Sequence, residues 1–241
     1  MDNYNRNYEL LVPKLVSGGG RLHRIRATRD IPLHGVRAGD LGGWVSGYHN
    51  LVDGAWVVDD SSVEGAAVVS GNALVKNNSR VTGNAVVSDY AVVNDESEVA
   101  DFCAVRGRSQ VMDSRLYGNT VVDGHAIVQG CSVDGVSFID GFARVNSVVD
   151  VENIAVSEEA HVLSFGSEGF CGGCLVRTSS GHMIFTDSWS GTVDDVKKAG
   201  EERLYVETWE KDPSALQQWA ELVAMIPVFD IRVRSWAVDS R

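Results

Sequence analysis

A hexad repeat between Leu51 and Asp150 constrains the fold of this 241-residue chain more than any other feature. Every sixth residue from Val57 to Val111 is valine, and the residue four places after each is alanine, serine or cysteine until Arg115. A period of six fits neither the 3.6-residue period of a helix nor the two-residue alternation of a strand. It favours a coil of short strands and tight corners, with every coil hydrogen-bonded to the next.

The hexads indicate which side chains point into the coil. Valine suits the inward position because a β-branched side chain packs well on a pleated surface. The small residue suits the corner, where a larger side chain would overpack the interior. Two steps of five residues, ending at Leu116 and Val133, interrupt the rhythm, and we expect only small offsets there. The pattern resembles the hexapeptide repeat of left-handed parallel β-helices, in which three hexads form one triangular coil. With a coil spacing of about 4.8 Å, about six coils would form a prism about 30 Å long.

The sequence on both sides of the repeat predicts two further units. Alternating residues over 7–29 indicate strands, and the paired glycines in 39–43 indicate backbone turned where side chains do not fit. We therefore predict a mainly β protein. It has an N-terminal β cap over 1–40, a left-handed parallel β-helix over 41–157 and a small C-terminal α+β domain over 158–241. In the last unit we predict a hairpin over 175–185, and then a helix that starts at Thr192 with Asp195 as its capping partner. A strand over 203–209 follows, then a second helix from Pro213 to Pro227 and a last strand over 231–234.

The charge and hydropathy of the chain exclude several classes of partner. A formal net charge of −12 argues against nucleic acid, because neutralising phosphates requires a basic surface. No apolar run approaches the roughly 20 residues that span a bilayer, so we expect no membrane segment. The first residues include acidic side chains and no apolar run, which does not fit a signal peptide. We therefore expect a cytoplasmic protein.

Basic residues are concentrated before the repeat, mainly over 21–29. Their strand could bind an anion or the acidic surface of a partner; alternatively, it forms a solvated face or ion pairs with the acidic coils. Trp44 and Trp56 are suited to closing the open end of the coil stack, which a solenoid needs. The candidate binding residues are Arg21, His23, Arg24, Arg26, Arg29, Trp44 and Trp56.

The basic strand, followed by Gly-Asp-Leu-Gly-Gly-Trp-Val over 39–45 and then directly by hexads, resembles the YdcK-like hexapeptide-repeat proteins of bacteria, phages and prophages. The resemblance implies an opening strand and turn before the coils and a small α+β domain after them. Members of that family carry an acyltransferase label that rests on analogy of fold, and a shared fold says little about activity.

Hexapeptide-repeat acyltransferases generally use a histidine as general base, with coenzyme A bound between subunits. An imidazole suits this role because its pKa is near the working pH. The repeat offers His49 and His125, and we expect His125, the better candidate, to point outward. No long loop interrupts the coils to shape an acceptor pocket, so a plain surface position for His125 is the alternative.

The pair Cys171 and Cys174 in a CxxC motif is the other candidate for chemistry. It could bind zinc or act as a redox pair, but a structural zinc site needs two more ligands. His161 and His182 are close enough in sequence to be considered. Because the chain has no second CxxC, we favour two small buried thiols beside a glycine turn, and we predict neither a metal nor a cofactor.

These observations leave three functions open. We favour a non-catalytic binding protein that forms a homo-oligomer, with a trimer favoured because the fold is commonly trimeric. Given the family resemblance, it could be a phage-encoded inhibitor in the host cytoplasm that captures a host defence protein or its nucleotide signal. Its partner would be a protein or a small anionic or nucleotide ligand, not nucleic acid or a membrane. The alternatives are a coenzyme A-dependent acyltransferase and a structural spacer in a virion or surface assembly.

Overall fold

The hexads form short strands that stack in parallel, coil upon coil. The computed structural model describes residues 7–15, 20–147, 149–166, 172–202 and 213–238. Its strands in chain order are β1 (Tyr8–Leu15), β2 (Arg21–Ala27), β3 (Leu41–Val45), β4 (Trp56–Val57), β5 (Ser62–Val63), β6 (Val68–Val69), β7 (Leu74–Val75), β8 (Arg80–Val81), β9 (Val86–Val87), β10 (Val92–Asn94), β11 (Glu98–Val99), β12 (Ala104–Val105), β13 (Gln110–Met112), β14 (Arg115–Leu116), β15 (Val121–Val122), β16 (Ile127–Gln129), β17 (Ser132–Asp134), β18 (Phe138–Ile139), β19 (Arg144–Asn146), β20 (Val151–Glu152), β21 (Ala155–Val156), β22 (Val162–Phe165), β23 (Gly173–Thr178), β24 (Gly181–Thr186) and β25 (Ser190–Gly191).

Three sheets enclose the interior of the coil. Face 1 contains β3, β5, β8, β11, β14, β17 and β20; face 2 contains β4, β7, β10, β13, β16 and β19; face 3 contains β6, β9, β12, β15, β18 and β21. Neighbouring strands within a face are parallel and come from successive coils. The predicted fold class, a parallel β-helix with a β cap and a small C-terminal α+β unit, is confirmed.

One residue per hexad points inward and stacks on its equivalent in the next coil. Val63 pairs with Val81, three hexads later, and both side chains are fully buried. Val99 pairs with Leu116, one residue earlier than three hexads would place it. A five-residue step therefore preserves the stacking of the inward side chains, and the shortening falls on the corner.

The small residue lies at the corner, two places before the next inward residue. At both predicted five-residue steps this spacing is kept. Four places after the preceding valine, the hexad pattern predicts Arg115 and Ser132 at these two corners. The structure instead has Ser114 and Cys131 there, and both are buried.

A third five-residue step, from Val151 to Val156, is missed by the hexad count. There Ile154, not Ala155, is the buried corner residue. A large side chain is accommodated because this coil is the last one, and Ile154 forms a β-bridge with Thr178 of the C-terminal unit.

An antiparallel meander of β1, β2 and β3 forms the N-terminal cap, and β3 then pairs in parallel with β5. The paired glycines allow this close approach, because a Cβ added at Gly43 would lie 2.5 Å from Val57 Cγ1. Trp56 is fully buried in the same cluster as Tyr8 and Ile25 of the cap. The cap thus covers the unpaired end of the coil stack.

A four-stranded antiparallel sheet, β22 to β25, covers the other end of the coils. The predicted hairpin is confirmed as β23 and β24. Side chains of β23 alternate, so that Cys174 and Val176 join the core of the coil whereas Leu175 joins a second cluster with the helices. One sheet therefore connects the two hydrophobic cores.

Thr192 caps the first helix of this unit. Its hydroxyl accepts the Asp195 N–H at 3.2 Å, and its own N–H donates to the Asp195 carboxylate at 2.8 Å. The predicted capping pair is confirmed. The helices are α1 (Val193–Glu202), α2 (Pro213–Ala224) and α3 (Ile226–Val238).

The strand predicted at 231–234 is wrong, because these residues belong to α3. Pro227 lies in the first turn of α3, where its missing N–H is not needed for a helical hydrogen bond. Phe229, Val233 and Trp236 then recur at helical spacing and pack in the second cluster. The strand predicted at 203–209 lies outside the described residues.

Every helix within the described ranges is too short or too polar to serve as a membrane span.

Gly83 and Gly130 offer a matched test of coil stacking. Both have a positive φ, 70° and 69°, so alanine should cost about 1 kcal/mol at either position. A Cβ at Gly83 would in addition lie 2.8 Å from Asp101 N in the next coil, whereas nothing lies within 4 Å of one at Gly130. We expect Gly83→Ala to lower the free energy of unfolding by about 2 to 4 kcal/mol and Gly130→Ala by about 1 kcal/mol. Chemical denaturation measures both, and equal losses would contradict the coil contact.

Candidate binding surfaces

Acidic residues of this chain neutralise part of the basic strand β2. Arg24 Nη1 lies 2.9 Å from Asp60 Oδ1 in the first coil, and Arg26 Nε lies 2.9 Å from Glu9 Oε1. These pairs fit the alternative in which the basic residues form internal ion pairs. The other candidates on and beside β2, which form no ion pair with a described residue, are Arg21, His23 and Arg29.

Trp44 lies at the surface beside two cations. Lys14 Nζ is 3.7 Å from the centre of its ring, and Arg24 Cζ is 5.2 Å from it, within the range of cation–π contacts. The indole N–H donates to Asp60 Oδ1 at 3.3 Å. This hydrogen bond, followed by the bond from Arg24, lowers the pKa of Asp60. We call Lys14, Arg24, Trp44 and Asp60 the tryptophan patch.

Trp44 and Trp56 therefore have different positions. Trp56 has no exposed surface, so its predicted part in binding is wrong: the cap covers it, and its contribution is to the core. Trp44 is only half-buried and points outward from face 1, so it does not close the end of the coil. Only Trp44 is accessible to a partner.

Face 3 carries one outward row of apolar residues. The residue before each inward residue points outward, and Phe138 and Val86 in this row are 52% and 39% exposed. On face 3 the row reads Val68, Val86, Ala104, Val121, Phe138 and Ala155. The same row on face 1 is mostly polar or charged and reads Trp44, Ser62, Arg80, Glu98, Arg115, Ser132 and Asp150. Because contiguous exposed apolar surface marks interaction sites, face 3 is the strongest candidate for an interface.

Aromatic and cationic side chains line the corner between faces 3 and 2, one from each of four successive coils. Arg108 Cζ is 5.5 Å from the centre of the Tyr90 ring, and the rings of His125 and Phe142 stack with centres 5.1 Å apart. All four side chains are exposed. We call Tyr90, Arg108, His125 and Phe142 the aromatic edge.

A comparison of all hexads with one another does not reveal face 3 or the aromatic edge, because successive hexads lie on different faces. Every third hexad lies on the same face, and the apolar row and the aromatic edge appear when only these hexads are compared. The sequence therefore encodes both surfaces with the period of a whole coil.

The two histidines of the repeat differ in their hydrogen bonds. His125 is exposed, and its imidazole stacks on Phe142 and forms no hydrogen bond with a described residue. His49 Nε2 lies 2.8 Å from Gly65 O, which occupies that nitrogen with a carbonyl. A catalytic imidazole is usually oriented by a second group, and the described residues place none on His125.

Burial keeps the described cysteines protonated. It raises the pKa of Cys131 to about 12 and that of Cys174 and Cys103 to about 11. Cys174 Sγ accepts a hydrogen bond from the Ser147 hydroxyl at 3.3 Å. Because the thiolate is the nucleophile and the metal ligand, these thiols are poorly suited to either role. Cys171 lies outside the described residues.

The two histidines near this motif use ring nitrogens to accept backbone N–H groups. His161 Nδ1 accepts from Ser157 at 3.1 Å, and His182 Nε2 accepts from Val193 at 3.1 Å. Within the described ranges, no group of three or more His, Cys, Asp or Glu side chains is arranged to hold a metal ion.

Both predicted five-residue steps fall at the corner between faces 2 and 1. A cavity of about 250 Å³ lies at this corner, beside Asp113 and Gly130. It shares Ser132 and Asp150 with a second cavity of about 440 Å³, which extends to Trp189 of the C-terminal unit. The strand pairing continues through both steps, since Leu116 pairs with Val99 in the preceding coil and with Val133 in the next.

No protein-family model matches this chain, and no curated protein matches it.

His182 predicts a pH dependence of stability. Burial lowers its pKa in the folded chain, so the neutral ring that accepts the Val193 N–H is favoured by folding. The resulting stability is present above the ordinary histidine pKa and is lost as the pH falls through the lowered one. We expect the free energy of unfolding to decrease between about pH 7 and about pH 5, and to decrease less in His182→Gln, which accepts but does not titrate. Denaturation curves at both pH values measure this, and parallel losses in the two proteins would contradict it.

Proposed function

We propose that this chain is a non-catalytic binding protein that assembles through face 3 into a homo-oligomer, with a trimer favoured. The observation that carries the proposal is the uninterrupted apolar row on face 3, beside a face 1 whose outer row is mostly charged and polar. Burying apolar surface contributes roughly 25 cal/mol per Å². A chain of net charge −12 can associate with itself most easily through a surface whose central row carries no charge.

The aromatic edge borders face 3 and is the surface that we assign to the partner. Tyr90 and Phe142 supply exposed rings, and Arg108 supplies a cation on an otherwise acidic chain. Aromatic and arginine side chains are typical of residues that dominate binding energy. A protein or a small anionic or nucleotide ligand fits this chemistry.

The specific form of the proposal is an inhibitor encoded by a phage. It follows from the resemblance to YdcK-like proteins and from a rigid scaffold that exposes binding surfaces. In this form the protein captures a host defence protein or its nucleotide signal in the host cytoplasm. An acyltransferase is less well supported, because the described residues provide no orienting partner for His125.

Substitutions at matched outward positions test the assembly. Phe138 lies on face 3 and Gln110 on face 2, and both are exposed. We expect light scattering to give a trimer for the wild type and for Gln110→Asp, but a monomer for Phe138→Asp, because a buried unpaired carboxylate would oppose assembly. A wild-type protein that is monomeric at all concentrations would contradict assembly through face 3.

Capture experiments test the partner surface. We expect the wild type to retain a stoichiometric protein or nucleotide from host lysate, and Arg108→Glu to lose it while remaining oligomeric, because the charge reversal would repel an anionic group. Gln110→Asp serves as the control that should retain it. Saturable binding of acetyl-coenzyme A with acyl transfer would instead identify an enzyme.

A further inference from the structure

The aromatic edge ends at Phe142, and the next coil does not supply another ring. Phe142 N–H donates to Ser157 O in the following coil at 3.1 Å. The hexads end there, and the chain enters a 3-10 turn, Glu159–His161. The Phe142 ring stacks on His125, with an angle of 17° between the planes, and Phe142 is 76% exposed. The side of the Phe142 ring that faces away from His125 is therefore not covered by a ring of any other described residue, and we call it the open stacking position.

A cavity of about 610 Å³ occupies the space beside this open position. Its volume is in the range of about 300 to 1,000 Å³ that is typical of small-molecule sites. Its lining includes Phe142, Ser157, Glu158, Glu159 and Arg232.

Helix α3 fixes the wall opposite the ring. Ala160 O accepts hydrogen bonds from Trp236 Nε1 at 2.8 Å and from Arg232 Nη1 at 3.3 Å. His161 Nδ1, one residue further, accepts the Ser157 N–H at 3.1 Å. These bonds hold the turn, the last coil and α3 together beside the cavity.

The charges in the walls are of both signs. Arg232 is half-buried and forms no ion pair with a described residue, and its contact with Ala160 O leaves other guanidinium N–H groups available. Glu158 and Glu159 are exposed and likewise form no ion pair within the described ranges. The cavity therefore offers one aromatic surface, one cation and two carboxylates.

We propose that this cavity binds a free aromatic α-amino acid. The ring of the ligand takes the open stacking position on Phe142, its carboxylate pairs with Arg232, and its ammonium group pairs with Glu158 or Glu159. A zwitterion matches both signs of charge, whereas a nucleotide phosphate would meet two carboxylates and only one guanidinium. All these residues belong to one chain, so the site does not depend on the proposed assembly through face 3.

Calorimetry with L-tryptophan and L-phenylalanine tests the site. We expect saturable binding to the full-length wild type and binding weaker by about tenfold in Phe142→Ala, which loses the stacking surface. Arg232→Gln keeps a hydrogen-bond donor and loses the charge, and should also weaken binding by about tenfold. Phe102→Ala removes an exposed ring at the corner between faces 1 and 3, outside every surface assigned to a ligand, and should bind as the wild type does.

Ligand analogues test the two charges separately. N-acetyl-L-tryptophan lacks the ammonium group and L-tryptophanamide lacks the carboxylate, so each should bind more weakly than L-tryptophan. Circular dichroism confirms that each variant is folded, as the exposure of Phe142 leads us to expect. Absence of saturable binding by both amino acids would overturn the proposal. Undiminished binding to folded Phe142→Ala, or binding of adenosine monophosphate in place of the amino acids, would overturn it equally.

Discussion

The hydrogen bonds that join each coil to the next are the interaction on which the rest of this structure depends. Arg106 N donates to Val122 O at 2.8 Å, and equivalent bonds recur along the coils. They require every coil to follow the path of its neighbours, including its corners. Corner residues such as Asp89, Asp101 and Gly83 have a positive φ, which glycine, aspartate and asparagine tolerate better than other residues. The same bonds leave unpaired groups at both ends, and the β1–β3 meander and the β22–β25 sheet cover them.

Because the repeat determines the interior, the outward positions are free to differ from face to face. Face 1 forms a ladder in which Arg80 bonds both Glu64 and Glu98, whereas face 3 carries an apolar row. The surfaces suited to binding arise where the coil is least regular or ends. A recess lies at the corner where two five-residue steps fall, and the last coil leaves one side of Phe142 uncovered. Regular stacking thus supplies the rigidity, and its departures supply the sites.

Local patterns predicted much of this arrangement correctly. The inward valines, the β23–β24 hairpin and the Thr192 cap each follow from periodicity or from contacts a few residues apart. The errors have a physical cause in common. Trp56 is buried by a distant cap, and 231–234 is helical because α3 packs on the C-terminal sheet. Contacts between residues far apart in sequence override the local preference in both cases.

By itself, the sequence determined the β-helix, its inward side chains and the existence of a cap at one end and a mixed unit at the other. A period of six admits few solutions once every backbone group must be hydrogen-bonded. Only the tertiary structure decided that Asp60 pairs with Arg24, and that Phe142, Glu159 and Arg232 line one cavity. The reason is that these contacts join residues far apart in sequence: the cap returns to the first coil, and α3 returns to the last coil from the far end of the chain.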